Sequence, residues 1–237
     1  ALQAPALRLV PYPSPFLAGI VFNVRAGRLF ADRRLRRAIA MAVDRETIVR
    51  SIFGPFGEVP VGATSPQQWI ARAEVRQLPF DTAQAQHLLG ELGWRDVTGD
   101  GMLARQGTPL RFTLLVPTTR RIRQQAAVLI QAQLKAVGVD LRILPLEFNL
   151  FERRTASGDF DASFFSRTLD PTPANVRQFW SAASIGRDNV GGYASAGFDS
   201  IVTAAIAAPS RAVAAPLSRA AVERLNDDAP AVFIYSP

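Results

Sequence analysis

Two hydrophobic periods alternate along the chain. Leu35, Ala38, Ile39, Ala42 and Val43 recur at spacings of three and one, which lays them along one face of a helix. Asp32 stands just before them, where its carboxylate can accept bonds from unpaired N–H groups of the first turn. Arg33, Arg34, Arg36 and Arg37 fill the other side of the first two turns and read as a solvated face. Asp44 can cap a second, shorter helix through Ile48 and Val49, so 30–49 is predicted as a helix with one break. A further helix starts at Asp81, with Gln84 able to reach back, carries Leu88, Leu89 and Leu92, and ends at Gly93. The segment 119–137 reads as a long amphipathic helix with Ile122, Ala126, Leu129, Ile130, Gln133 and Leu134 near one side and Gly138 as its cap. Asn149 can cap a short helix that Gly158 closes. A helical turn is expected at 174–180 and helices at 198–207 and 216–225, the last with Pro216 at its favoured first position.

Strand-like runs sit between these helices: 20–24, 110–116, the alternating Val139, Leu141 and Ile143, then 160–166 and 231–235. The strand–helix–strand order over 110–143 predicts a βαβ unit with a right-handed crossover. Prolines 5, 11, 13 and 15 make 1–18 extended. Glycine and proline make 54–79 a long connection running over the surface, and 167–197 is loop-like. Asp96-Val97-Thr98-Gly99-Asp100-Gly101 imitates the first half of a calcium loop, but its twelfth position is Gly107 where a glutamate is needed. A tight turn is expected there, and His87 reads as a packing or surface residue.

Composition narrows the function classes. At 237 residues and 48% hydrophobic, the chain can bury a sizeable core. It has no cysteine, which excludes disulfide frameworks, thiolate metal sites and thiol nucleophiles. No apolar run is long enough to span a bilayer. The opening, ALQAPALRLVPYPSPF, lacks a basic segment followed by an apolar core, so an export signal is expected upstream of it. The net charge of +7 is carried by scattered arginines, which argues against nucleic acid as a partner.

The Phe30–Val49 segment, FADRRLRRAIAMAVDRETIV preceded by Phe22-Asn23, resembles the signature of the extracellular solute-binding proteins of family 5, the peptide- and nickel-binding receptors of ABC importers. DTAQAQHLLGELGW, GDFDA at 158–162, Asp170-Pro171 and GGYASAGFDSIV at 191–202 extend the resemblance over almost the whole chain. The resemblance implies an α/β fold: a lobe of the type II periplasmic-binding-protein kind, a mixed sheet flanked by helices. Family members are about twice as long and trap ligand between two lobes. Residues 1–237 therefore correspond to the second lobe, with the first, N-terminal lobe as a missing partner. The implied function is capture of a small solute, peptide-like or anionic, and its delivery to an ABC permease in the membrane. A periplasmic location follows, with no chemistry performed, no cofactor and no metal site.

The resemblance also implies where the ligand sits. In peptide-binding relatives the strand at 160–166 leads to Gly-Trp and then to an aspartate that pairs with the peptide's amino terminus. Counted without gaps, Arg167 falls on the tryptophan and Asp170 on the aspartate; Thr168 lies between them. Asp170 also begins an Asp-Pro turn, and the turn and ligand readings both stand. Arginine in place of tryptophan suits a carboxylate or phosphate. Thr119 and Arg120, at the entry of the long helix, can hold an anion. Phe148 resembles an aromatic contact of peptide-binding members, with a packed phenylalanine as the other reading. With one histidine, no cysteine and two methionines, the lobe offers little to bare nickel, although a nickel chelate stays open.

Two other classes compete. A hydrolase would need carboxylates converging in one pocket, or a nucleophile beside a base. Asp159, Asp161 and Asp170 are the candidates, and no Gly-x-Ser-x-Gly elbow is present. A ligand-sensing domain of a transcription regulator would use the same fold, and only sequence upstream would separate it from a transport receptor.

Overall fold

A computed structural model describes residues 12, 14–72, 75–170, 172 and 174–237. The strands are β1 (Phe16–Phe22), β2 (Ala104–Arg105), β3 (Thr108–Pro109), β4 (Arg111–Pro117), β5 (Asp140–Leu146), β6 (Ala162–Thr168) and β7 (Ala231–Tyr235). The helices are α1 (Arg33–Met41), α2 (Arg45–Phe53), α3 (Thr82–Glu91), α4 (Arg121–Lys135), α5 (Phe148–Ser157), α6 (Ala174–Trp180), α7 (Ala196–Ala207) and α8 (Arg211–Asp228). Five strands form one mixed sheet in the order β5-β4-β6-β1-β7, and β2 and β3 form a separate two-stranded ladder. β4 is parallel to β5 and β6, whereas β1 is antiparallel to β6 and β7. The edge strand β5 carries Pro145, tolerable at an edge because no second neighbour asks for its N–H.

Alternation along the strands feeds two cores. Ala18, Ile20 and Phe22 of β1 pack with α1 to α4, while Leu17 and Val21 pack with α5 to α8. β4 divides likewise, with Phe112, Leu114 and Val116 on one side and Leu115 on the other. The helices thus form a layer on each face of the sheet. α4 contributes Ala126, Ala127, Ile130 and Leu134 to the first core, and α5 contributes Phe151 to the second.

The expected caps hold. The side chains of Asp32, Asp44 and Asp81 accept bonds from the backbone N–H groups of Arg34, Thr47 and Gln84. The Asp96 carboxylate accepts from Gly99 N at 2.8 Å and Gly101 N at 3.0 Å, so 96–101 is a turn organised by its own aspartate. His87 is exposed and lies 3.2 Å from Glu91.

Several expectations are corrected. α5 is capped by Glu147, not Asn149, because the longer carboxylate accepts from both Asn149 N and Leu150 N. α8 starts at Ser210, which accepts from Val213 N, and Pro216 lies inside the helix; the alanines before it extend the helix at the loss of one backbone bond. β6 runs to Thr168, two residues beyond the expected end. The connection 54–79 is not confined to the surface: Ala63, Thr64, Ser65, Gln68 and Ile70 are buried. Of the proline-rich opening, residues 1–11 and 13 lie outside the described residues.

The arginine face is the largest correction. Arg36 is only 6% exposed. Its Nη1 donates to the carbonyls of Phe30 at 2.8 Å and Ala31 at 3.0 Å, and its Nε donates to the carbonyl of Asp228 at 2.9 Å. The Asp228 carboxylate accepts from Arg33, from Arg224 and from the Tyr193 hydroxyl at 2.7 Å. Arg37 donates to the Asp227 carbonyl at 3.0 Å. Guanidinium groups from α1 thus meet the negative C-terminal end of α8 and join the two helical layers. Burial, with the Asp228 carboxylate beside it, pushes the Tyr193 hydroxyl well above the ordinary tyrosine range.

Candidate ligand-binding cleft

The parallel strands β4, β5 and β6 end on one edge of the sheet, so the turns that follow them gather there. Such an edge is where open α/β sheets receive ligands. The register opens it further. β1 pairs with β6 over all seven residues, but β4 pairs with it only at Ala162 and Ser163. From Phe164 to Thr168 the second edge of β6 faces no described strand. A cleft of about 450 Å³ occupies this opening. Phe148 and Glu152 of α5 form one wall, Arg123 of α4 reaches in from the other face, and Arg187 and Asp188 close the far side.

Arg167 lies on the cleft floor. Its guanidinium carbon sits 4.9 Å from the centroid of the Phe179 ring, a cation–π arrangement. Burial lowers its pKa from the ordinary arginine value, and the charges of Glu152 and Asp188 oppose that effect. Neither carboxylate forms an ion pair with it, and it makes no hydrogen bond to a described residue. Arg123 is also depressed by burial, against the opposing influence of Tyr235, and donates to the Ser166 hydroxyl. Thr155 and Ser163 share a hydrogen bond of 3.1 Å, which fixes α5 against β6.

The expected site residues divide. Arg167 and Phe148 share the cleft, and Phe148 is 44% exposed, so it is no core residue. Thr168 ends β6, exposed and paired with Phe16. Thr119 is exposed in the turn before α4. Arg120 lines a neighbouring hollow of about 290 Å³ with Phe53, Ile122 and Tyr235; Arg123 borders both spaces. Asp170 does not line the cleft. Its backbone N–H donates to Asn175 Oδ1 at 2.6 Å, its carboxylate accepts from Asn175 Nδ2 at 3.3 Å, and its carbonyl accepts from Gln68. These bonds make it a turn organiser.

Arg123, Glu152, Arg187 and Asp188 are not apparent in the sequence as cleft residues. Arg123 stands one helical turn beyond Arg120, a spacing that could have pointed to it; the others carry no local signal. Asp159 and Asp161 lie before β6 and are engaged elsewhere, with Arg154 and with Thr113 N. Among the described residues no group of three or more His, Cys, Asp or Glu is placed to hold a metal ion, and no helix is long and apolar enough to cross a membrane.

Comparison with known proteins follows the same lines. Residues 2–187 match the family model described as bacterial extracellular solute-binding proteins, family 5, middle. The chain is 28% identical over 213 residues to the oligopeptide-binding protein AppA of Bacillus subtilis, covering 88% of this chain and 39% of that protein. It is 29% identical over 211 residues to di/tripeptide-binding protein 3 of Pseudomonas aeruginosa, covering 86% of this chain and 37% of that one. The solved structure of AppA in complex with a nonapeptide superposes with a TM-score of 0.89 at 26% identity, covering all of this chain and 47% of that one. The chain therefore spans under half the length of these relatives.

Proposed function

The chain belongs to family 5 of the bacterial extracellular solute-binding proteins, and from that premise we propose that it is one lobe of a receptor that captures a small solute for an ABC importer. The observation that carries the proposal is the opening beside β6: a strand edge that meets no described strand, flanked by an aromatic side chain and a guanidinium that bonds to no described residue. An extended peptide can add its own main chain to such an edge, taking affinity from backbone bonds and selectivity from the pockets alongside. The relatives named for oligopeptides and di/tripeptides favour a peptide-like solute.

In this reading a second lobe covers the cleft and closes over the solute by hinge motion. Closure excludes water and strengthens every polar contact inside. Arg167, Phe148 and Thr168 contact the solute, while Thr119, Arg120 and Asp170 shape the turns at the rim. The closed form is presented to a membrane permease outside the cytoplasmic membrane, and no bond is made or broken. Thr155, Ser163 and Ser166 in the cleft are hydrogen-bonded to each other or to Arg123, so none of these hydroxyls stands beside a base.

Native mass spectrometry of the full-length protein, purified without denaturation, tests the proposal. One carried-over small molecule per protein, lost on denaturation and regained from a peptide pool, is expected. Apo protein that takes up nothing from such a pool would overturn the peptide-like reading.

A further inference from the structure

We infer that Arg167, with Arg123 across the cleft, is a seat for a carboxylate of the solute. This rests on the cleft being the solute site. Arg167 is half-buried, and its guanidinium makes no hydrogen bond to a described residue, so its N–H donors remain available to whatever fills the cleft. What holds it is the face of Phe179, 4.9 Å away. A cation–π contact of that kind engages the charge of the group and none of its N–H donors as hydrogen bonds, which leaves them for a ligand.

The surrounding charges fit the same assignment. Glu152 and Asp188 influence Arg167 electrostatically yet stop short of ion pairs with it. Had the arginine served to tie α5 to the loop at 187–190, one of these carboxylates would be bonded to it, as Asp228 is bonded to Arg33 and Arg224. Arg123 adds a second positive charge, and among the described residues its guanidinium bonds only to the neutral Ser166 hydroxyl. Counting Arg187, the cleft holds three guanidinium groups against two carboxylates. It therefore favours one negative group over a cationic or a multiply anionic solute.

The carboxylate can come from a peptide's C-terminus or from an acidic side chain. Three tripeptides separate the sources: Ala-Ala-Ala, its C-terminal amide, and Ala-Glu-Ala amide, titrated calorimetrically into the full-length protein. Loss of the seated carboxylate is expected to weaken binding by about ten- to a hundredfold, the range of a charge-assisted hydrogen bond. A terminal carboxylate at the seat makes the plain amide weak. A side-chain carboxylate at the seat makes Ala-Glu-Ala amide the tightest of the three and leaves the other two alike. In either case Arg167→Gln should bring the three affinities together, and Arg167→Lys should restore part of the difference. Equal affinities in the unaltered protein, or an unchanged ranking in Arg167→Gln, would overturn the inference while leaving peptide capture in place. A uniform fall for all three peptides in Arg167→Gln would make the residue structural and also overturn it. If none of the three bound, the peptide-like reading would fail first and this assignment with it.

Discussion

Arg36→Met tests whether the arginines of α1 are surface residues or an internal clamp. Methionine keeps much of the length and apolar stem of arginine but removes the guanidinium and its three hydrogen bonds. The carbonyls of Phe30, Ala31 and Asp228 would then lose partners now at 2.8, 3.0 and 2.9 Å, and the buried Asp228 carboxylate would lose a neighbouring positive charge. Hydrogen bonds to a charged donor each contribute about 1.5–3 kcal/mol. The relief from burying a guanidinium returns some of that, so the net loss is expected at about 3–5 kcal/mol, as for other broken buried pairs. For a domain of this size that corresponds to a fall in Tm of roughly 6–20 °C. Arg34→Ala is the control. Arg34 pairs with Glu91 at the surface, both side chains being about half exposed, and its loss should change stability by at most about 1 kcal/mol. Thermal unfolding followed by circular dichroism compares the two variants. Equal effects, or a loss below about 1 kcal/mol for Arg36→Met, would refute the clamp.

Alkaline pH gives an independent test. Burial raises Tyr235 to about 12 and takes Tyr193 beyond the ordinary tyrosine range. Both side chains therefore favour the folded protein below pH ~10, the unfolded tyrosine value, and this contribution declines as pH rises above it. Denaturant titrations should show stability falling by up to about 1.4 kcal/mol per pH unit for each tyrosine, and Tyr193→Phe should flatten the slope. Gly19→Ala should be among the most damaging single changes in the sheet. A β-carbon there would stand 2.1 Å from the Val232 carbonyl oxygen, so β1 and β7 would have to part. Overpacking of this kind costs about 1–3 kcal/mol or more, readable as a lowered denaturation midpoint, whereas an unchanged midpoint would show that the strands can spread.

Local chemistry made much of the fold legible in the sequence. Asp32, Asp44 and Asp81 announce their helices because a cap is a short-range bond between a side chain and the next few backbone groups. The strands at 110–116 and 231–235 follow from runs too apolar to lie anywhere but inside. What escaped depends on partners far along the chain. Nothing near Arg36 indicates that the end of α8 will supply a carbonyl acceptor. The cap of α5 passed to Glu147 because the helix starts at Phe148, two residues earlier than an Asn149 cap implies, and the Glu147 carboxylate accepts from Asn149 N and Leu150 N. In the cleft, the resemblance pointed to Arg167 and Phe148 through their places at the end of β6 and just after β5. Arg123, Glu152 and Asp188 converge on them only because the sheet parts beyond Ser163. Asp170 held two readings in the sequence, and its bonds to Asn175 form the turn that one of them expected.

The strand order has a kinetic consequence. β4, α4, β5, α5 and β6 follow one another closely and can assemble while the chain is still being made. β1 is synthesised long before them, yet it lies between β6 and β7, with Phe22 opposite Ala162 and Ile20 opposite Val232. Its partners are more than half the chain away, and long loops must close before those contacts form. Until β7 emerges, one edge of β1 has no strand to pair with. β7 thus completes one edge of the sheet, and a chain interrupted before Ala231 would be left with β1 as an open, aggregation-prone edge.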